Sequence, residues 1–103
     1  MQLRGVPPQH INDSDRLLTK LNALVDELAL TRVSDHCHYF EPGVSAVIIL
    51  SESHLAVHTW PELGYMHVDI VTCVEKLTRD SLQSAFQEAF EAEFVETAQL
   101  KYD

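Results

Sequence analysis

Ser53 stands inside "LSESHLAVHTWPELGY", residues 50–65, with Glu52 before it, His54 and His58 after it, and Trp60 and Glu62 beyond. A serine hydroxyl becomes a nucleophile when a base removes its proton, and an imidazole or carboxylate nearby in the fold can be that base. The stretch also reads as strand, and ordinary strands of a small domain alternate aliphatic residues with inert polar ones. Taken alone, a Ser-His pair is a polar strand end with satisfied hydrogen bonds. No Gly-x-Ser-x-Gly elbow and no phosphate-binding glycine loop is present, so the standard serine and phosphoryl machinery is absent.

Metal chemistry is weighed and set aside. Six histidines and two cysteines, Cys37 and Cys73, supply donors. His54 and His58 are four apart on a strand, about 13 Å at roughly 3.3 Å per residue, too far to share an ion. His36 and His38 share a strand face but lack companion ligands nearby in sequence. Cys37 reads as a small core residue.

The elements that position these residues follow from periodicity. "NDSDRLLTKLNALVDELAL" opens with capping residues and places Leu17, Leu18, Leu21, Leu24, Val25 and Leu28 on one helical face. "TRVSDHCHYFEPGVSAVIILSES" predicts two strands about a turn at Glu41-Pro42-Gly43. "HLAVHTW" is a further strand, ended by Pro61, and "YMHVDIVTC" alternates again after a turn at Glu62-Leu63-Gly64. A second helix is predicted in "TRDSLQSAFQEAFEAEF", with Leu82, Ala85, Phe86, Ala89 and Phe90 as its stripe. "FVETAQLKY" closes as a short strand. The order helix, three or four strands, helix, strand gives an α+β two-layer sandwich, an antiparallel sheet with helices on one face, over a single domain of residues 1–103.

Period-two alternation separates the faces. Leu55, Val57 and Thr59 point one way, and His54, Ala56, His58 and Trp60 the other. Met66, Val68, Ile70 and Thr72 share a face opposite Tyr65, His67, Asp69, Val71 and Cys73. A face rich in imidazoles, Trp and Cys is unlike a solvated one, and a second copy of the chain is the economical cover. A 103-residue chain has a modest core, which oligomerisation would assist.

Charge narrows the partners. Sixteen acidic against seven basic residues give a net charge of −9 without a basic patch, which argues against nucleic acid and suits a cationic small molecule. No apolar run reaches membrane-spanning length and no signal-like segment opens the chain, so no membrane partner is expected and the cytoplasm is the expected compartment; two thiols at no recognisable spacing agree with a reducing one.

The run "SESHLAVHTWPELGYMHVDIVTC", residues 51–73, resembles the signature of the bacterial-type S-adenosylmethionine decarboxylase family, with Ser-Glu-Ser-His, His-Thr-Trp-Pro-Glu, Gly-Tyr and a Val-Asp strand ending in Thr-Cys. The likeness extends upstream through "HYFEPGVSAVIIL" and more loosely over the first helix. It implies a proenzyme that cuts itself between Glu52 and Ser53, leaving a β chain of residues 1–52 and an α chain of 53–103 headed by a pyruvoyl group made from Ser53. It implies His58, assisted by Ser45, as the base of that processing, and Cys73 as the proton donor of the decarboxylation. Phe40 and Glu62 match positions that hold adenine and ribose, and Asp69 matches a family acid. The mature ketone would take the substrate amine as a Schiff base and accept the electrons left by carbon dioxide. The family pairs as a homodimer, a four-layer α/β-β/α sandwich, and supplies aminopropyl donor for spermidine, in polyamine biosynthesis.

Departures from the family pattern concern the pocket. Only "MQLRG" stands where the family has a longer first strand, so contacts made by that strand are expected to be missing or altered. Val71 replaces a common Phe, Val74 a Gly, and Met66-His67 two small residues. These changes open an alternative substrate, L-ornithine or L-arginine, on the same cofactor, and a further alternative is a non-processing binding or regulatory homologue. Retention of Ser53, His58, Ser45 and Cys73 together argues against the last.

Overall fold

Asp13 starts the first helix because its side chain accepts hydrogen bonds from the N–H groups of Asp15, at 2.8 Å, and Arg16, at 3.4 Å, two of the donors that a helix start leaves unpaired. The helix, α1, runs Ser14–Glu27 and buries Leu17, Leu21, Leu24 and Val25. The second, α2 (Arg79–Phe90), begins at a reciprocal capping box between Thr78 and Ser81 and buries Leu82, Phe86 and Phe90. The structure is a computed structural model that describes residues 1–72 and 77–99.

Six strands make one sheet: β1 (Gln2–Arg4), β2 (Arg32–Tyr39), β3 (Val44–Leu50), β4 (Ser53–Trp60), β5 (Tyr65–Val71) and β6 (Phe94–Glu96). Their order is β2-β3-β4-β5-β1-β6, and every pairing is antiparallel. Both helices pack on one face, over Val44, Ala46, Ile48, Leu50, Leu55, Val57, Met66 and Val68. Each fully buried Leu, Val, Met or Phe contributes about 1.5–3 kcal/mol relative to exposure. The α+β sandwich with helices on one face is therefore the observed architecture.

One element differs from expectation. The first residues, too short to show a period and left out of the expected strand order, form an interior strand of the sheet beside the edge strand β6. Leu3, opposite Met66 and Val95, is wholly buried, and β1 fills the gap between β5 and β6. Burial of one leucine and pairing on both sides hold a three-residue strand that alternation alone could not reveal.

The opposite face of the sheet is uncovered in the single chain. Val47, Ile49 and Trp60 are each more than a third exposed there. A cross-strand row on it runs His38, Ser45, His58, His67 and Gln2, each residue opposite the next. No helix among the described residues is long and apolar enough to cross a membrane.

Candidate active site

Two groups of reactive residues stand at opposite ends of β4, the first of them on the open face. At the Trp60 end, Ser45 of β3 lies opposite His58 of β4, and Ser45 Oγ is hydrogen-bonded to His58 Nδ1 at 2.7 Å. Strand register alone makes this pair, since directly opposed residues have Cβ atoms about 4.5–5.5 Å apart. The hydrogen bond occupies Nδ1 and fixes the orientation of the ring, and an imidazole so held is an acid–base group with a fixed direction.

Around the pair lies a cleft of about 330 Å³ lined by Phe40, Gly43, Ser45, His58, Trp60 and Glu62, among others. Four residues expected from the sequence, Phe40, Ser45, His58 and Glu62, thus meet in one place. Phe40 is 63% exposed and stands with its ring centroid 4.5 Å from that of His38. Trp60 packs on Tyr65 at 5.3 Å, and the Arg4 guanidinium lies 4.9 Å from the Tyr65 centroid. Exposed aromatic faces beside a carboxylate suit a flat, cationic ligand.

At the other end stands the Ser51-Glu52 turn between β3 and β4, closed by Leu50 opposite Ser53. Glu52 has φ +64°, the left-handed region, which costs a residue with a Cβ about 1–2 kcal/mol and which this turn imposes next to Ser53. The sequence carried no sign of that strain, because a glycine or asparagine would have been its usual mark.

The structure does not bring the two groups together. His58 lies five residues beyond Ser53 along β4, about 16 Å at strand rise, and strict alternation puts the two in opposite phases. Asp69, opposite Ala56, stands between the ends on the open face. Cys73, the expected proton donor, lies outside the described residues.

Metal chemistry finds no cluster: among the described residues no group of three or more His, Cys, Asp and Glu side chains is placed to hold an ion. His36 and His38 stand opposite Val47 and Ser45. Cys37 is a free, partly buried cysteine packed against the core, as its size suits.

One residue of consequence escaped the sequence reading. Thr59 shares the aliphatic phase of Leu55 and Val57, and its hydroxyl is buried and doubly hydrogen-bonded beneath the cleft. A lone hydroxyl in an apolar strand phase was the available signal.

Comparison with known proteins finds likeness over nearly the whole chain. A family model described as S-adenosylmethionine decarboxylase matches residues 1–102. An S-adenosylmethionine decarboxylase proenzyme of Acetivibrio thermocellus is 48% identical over 65 residues, 62% of this chain and 52% of that protein. Another, of Thermodesulfovibrio yellowstonii, is 31% identical over 102 residues, 98% of this chain and 76% of that one. The match thus spans about half the length of the first relative and three-quarters of the second. A crystal structure of the adenosylmethionine decarboxylase from Aquifex aeolicus superimposes with a TM-score of 0.79 at 25% identity, covering 97% of this chain and 92% of that chain. With a shared fold, a family match across the described strands and helices, and a proenzyme relative aligned along almost all of this chain, the chain belongs to the S-adenosylmethionine decarboxylase family.

Proposed function

We propose that this chain is a self-processing, pyruvoyl-dependent decarboxylase of S-adenosylmethionine, working as a homodimer in polyamine biosynthesis in the cytoplasm. The observation that carries the reading is the cleft in which the hydrogen-bonded Ser45–His58 pair meets Phe40, Trp60 and Glu62. It supplies a base, aromatic faces and a carboxylate in a protein whose net charge of −9 attracts cations.

Processing would begin at the strained turn. Ser53 Oγ adds to the carbonyl carbon of Glu52, the C–N bond breaks, and an ester replaces the amide while the amine of Ser53 is released. The left-handed φ of Glu52 raises the energy of the intact peptide there, so part of the strain is relieved as the bond breaks. An imidazole then removes the Cα proton of residue 53, and β-elimination expels the Glu52 carboxylate. The enamine left behind takes up water and loses ammonia, giving a pyruvoyl group at the head of residues 53–103, with 1–52 as the other fragment of the single domain. The residues fit this group, since the serine that becomes it follows the one strained residue of the β3–β4 turn.

The imidazole belongs to a second copy. A two-fold axis that stacks the open faces antiparallel lays the Ser53 end of one protomer over the His58 end of the other and covers Val47, Ile49 and Trp60. Such a stack would bring His58 of the partner subunit to the strand end where the Glu52–Ser53 bond lies, which His58 of the same chain, about 16 Å along the strand, does not reach.

Once formed, the pyruvoyl carbonyl supplies an electron sink for the substrate's amino-acid carbon as carbon dioxide leaves. This chain's residues do the rest. Phe40 stacks the flat end of the substrate, Glu62 accepts hydrogen bonds from its sugar hydroxyls, and Cys73 returns a proton. Asp69 adds negative charge to the face that receives a cation.

Denaturing mass spectrometry of the purified protein tests the reading. The expected result is two fragments divided after Glu52, with a hydride-reducible keto group on the second, and release of carbon dioxide from S-adenosylmethionine but not from ornithine or arginine. An intact chain after prolonged incubation overturns the processing; release from ornithine or arginine instead overturns the substrate.

A further inference from the structure

Thr59 is 5% exposed on the core face of β4, among Leu55, Val57 and Met66. A valine has the same shape, so a threonine there requires work for its hydroxyl. Its Oγ1 accepts a hydrogen bond from the Val44 N–H and donates one to the Ile11 carbonyl, each at 2.9 Å and each buried.

The Val44 N–H needs that acceptor. The β3–β4 ladder begins at Ser45 opposite His58, so the strand is caught by a side chain one residue before backbone pairing takes over. The same residue meets the turn a second time: a Cβ at Gly43 would stand 2.7 Å from the Thr59 carbonyl oxygen, a distance only glycine permits. Between Phe40 and Val44 the turn is closed by the Phe40 N–H bonding to the Gly43 carbonyl at 2.6 Å. Thr59 therefore holds the base of the turn through its hydroxyl, with its backbone packed close against Gly43, and its neighbours His58 and Trp60 line the cleft on the other side of the sheet.

We propose that Thr59 is the positioning residue of the cleft, pinning the residue 40–44 turn, and with it the Phe40 ring and the Ser45–His58 pair, to the segment before α1 through its buried hydroxyl. An ångström of play in a binding group costs far more affinity than its share of fold stability, because the bound geometry must be regained at each encounter.

The inference rests on the functional reading above for its kinetic arm and on the fold alone for its exchange arm. In the full-length dimer, Thr59→Val keeps the volume and strands both partners. Amide hydrogen exchange at Val44 and across residues 40–45 should quicken about tenfold while the β4–β5 ladder keeps its protection. KM for S-adenosylmethionine should rise about tenfold at 20 °C, with kcat per pyruvoyl group within twofold. Thr59→Ser should recover both values. Thr78→Ala, which removes the α2 cap, should lower Tm and leave KM and the 40–45 exchange unchanged. Should Thr59→Val fail to fold, Thr59→Cys, whose thiol is only a weak donor and acceptor, weakens the same two hydrogen bonds and should show the same local exchange. Unchanged exchange at residues 40–45, or exchange that quickens equally over all strands, overturns the proposal. A wild type that releases no carbon dioxide overturns the functional reading instead and leaves the exchange arm to decide.

Discussion

Glu52 is where a single residue's conformation meets chemistry. Its left-handed φ carries about 1–2 kcal/mol of strain that glycine would not, while glycine forfeits about 0.5–1 kcal/mol in chain entropy. In a Ser53→Ala background, which removes cleavage from the measurement, Glu52→Gly should therefore stabilise the chain by up to about 1.5 kcal/mol and raise Tm by no more than roughly 12 °C in a thermal melt. With Ser53 intact the same substitution should slow fragment formation, because the intact peptide no longer starts uphill. A faster cleavage would separate strain from processing. Ser53, the proposed nucleophile, and its neighbours were legible in the sequence as residue types; the φ of Glu52 was not, since turn strain is imposed by the register of two strands and leaves no compositional trace when glutamate bears it.

The elements divide by how far their pattern extends. The α1 stripe of Leu17, Leu21, Leu24 and Val25 and the α2 stripe of Leu82, Phe86 and Phe90 repeat often enough to fix both helices, and the alternation in β4 and β5 assigns every side chain its face. β1 escaped because three residues hold no period and its partners, β5 and β6, lie far along the chain. Phe86 and Phe90 are wholly buried and stack at 6.2 Å, so Phe86→Ala should cost about 3–5 kcal/mol in denaturant unfolding, a loss that touches α2 packing and leaves the cleft residues in place. The C-terminus of α2 is also tied down electrostatically. His10 Nε2 lies 2.7 Å from Glu91 Oε2, and that hydrogen bond, followed by the charge of His10, holds the Glu91 carboxyl below its usual 4.5. A carboxyl depressed in the folded state stabilises fully above its unfolded value and loses that stabilisation as pH falls through the folded one. Urea midpoints should therefore decline below about pH 4.5 in the wild type, and Glu91→Gln should flatten part of that decline. The screening of an exposed pair keeps the effect small.

At the scale of the whole molecule, one chain carries both groups of residues on which the proposed chemistry rests and does not bring them together. The Ser45–His58 pair and the Ser53 turn occupy opposite ends of β4, and the open face between them displays Val47, Ile49 and Trp60. A two-fold stack is self-complementary: whatever one protomer brings to its partner's serine, the partner returns. This makes cleavage a test of geometry that a homodimer of identical chains conceals and a mixed dimer exposes. Chains carrying Ser53→Ala cannot cut, and chains carrying His58→Ala should cut about 10²–10⁴ times more slowly, the usual contribution of a positioned base. Co-refolded together, they form some dimers in which the His58→Ala chain keeps its serine and meets His58 of the partner subunit. Mass spectrometry should then show fragments 1–52 and 53–103 derived from the His58→Ala chain alone, at a rate near the wild type for that half-population. If the base acted within one chain, the mixture would stay uncut, because no single polypeptide in it carries both residues. The strand register, which places His58 and Ser53 about 16 Å apart in one chain, is the ground for expecting the first outcome.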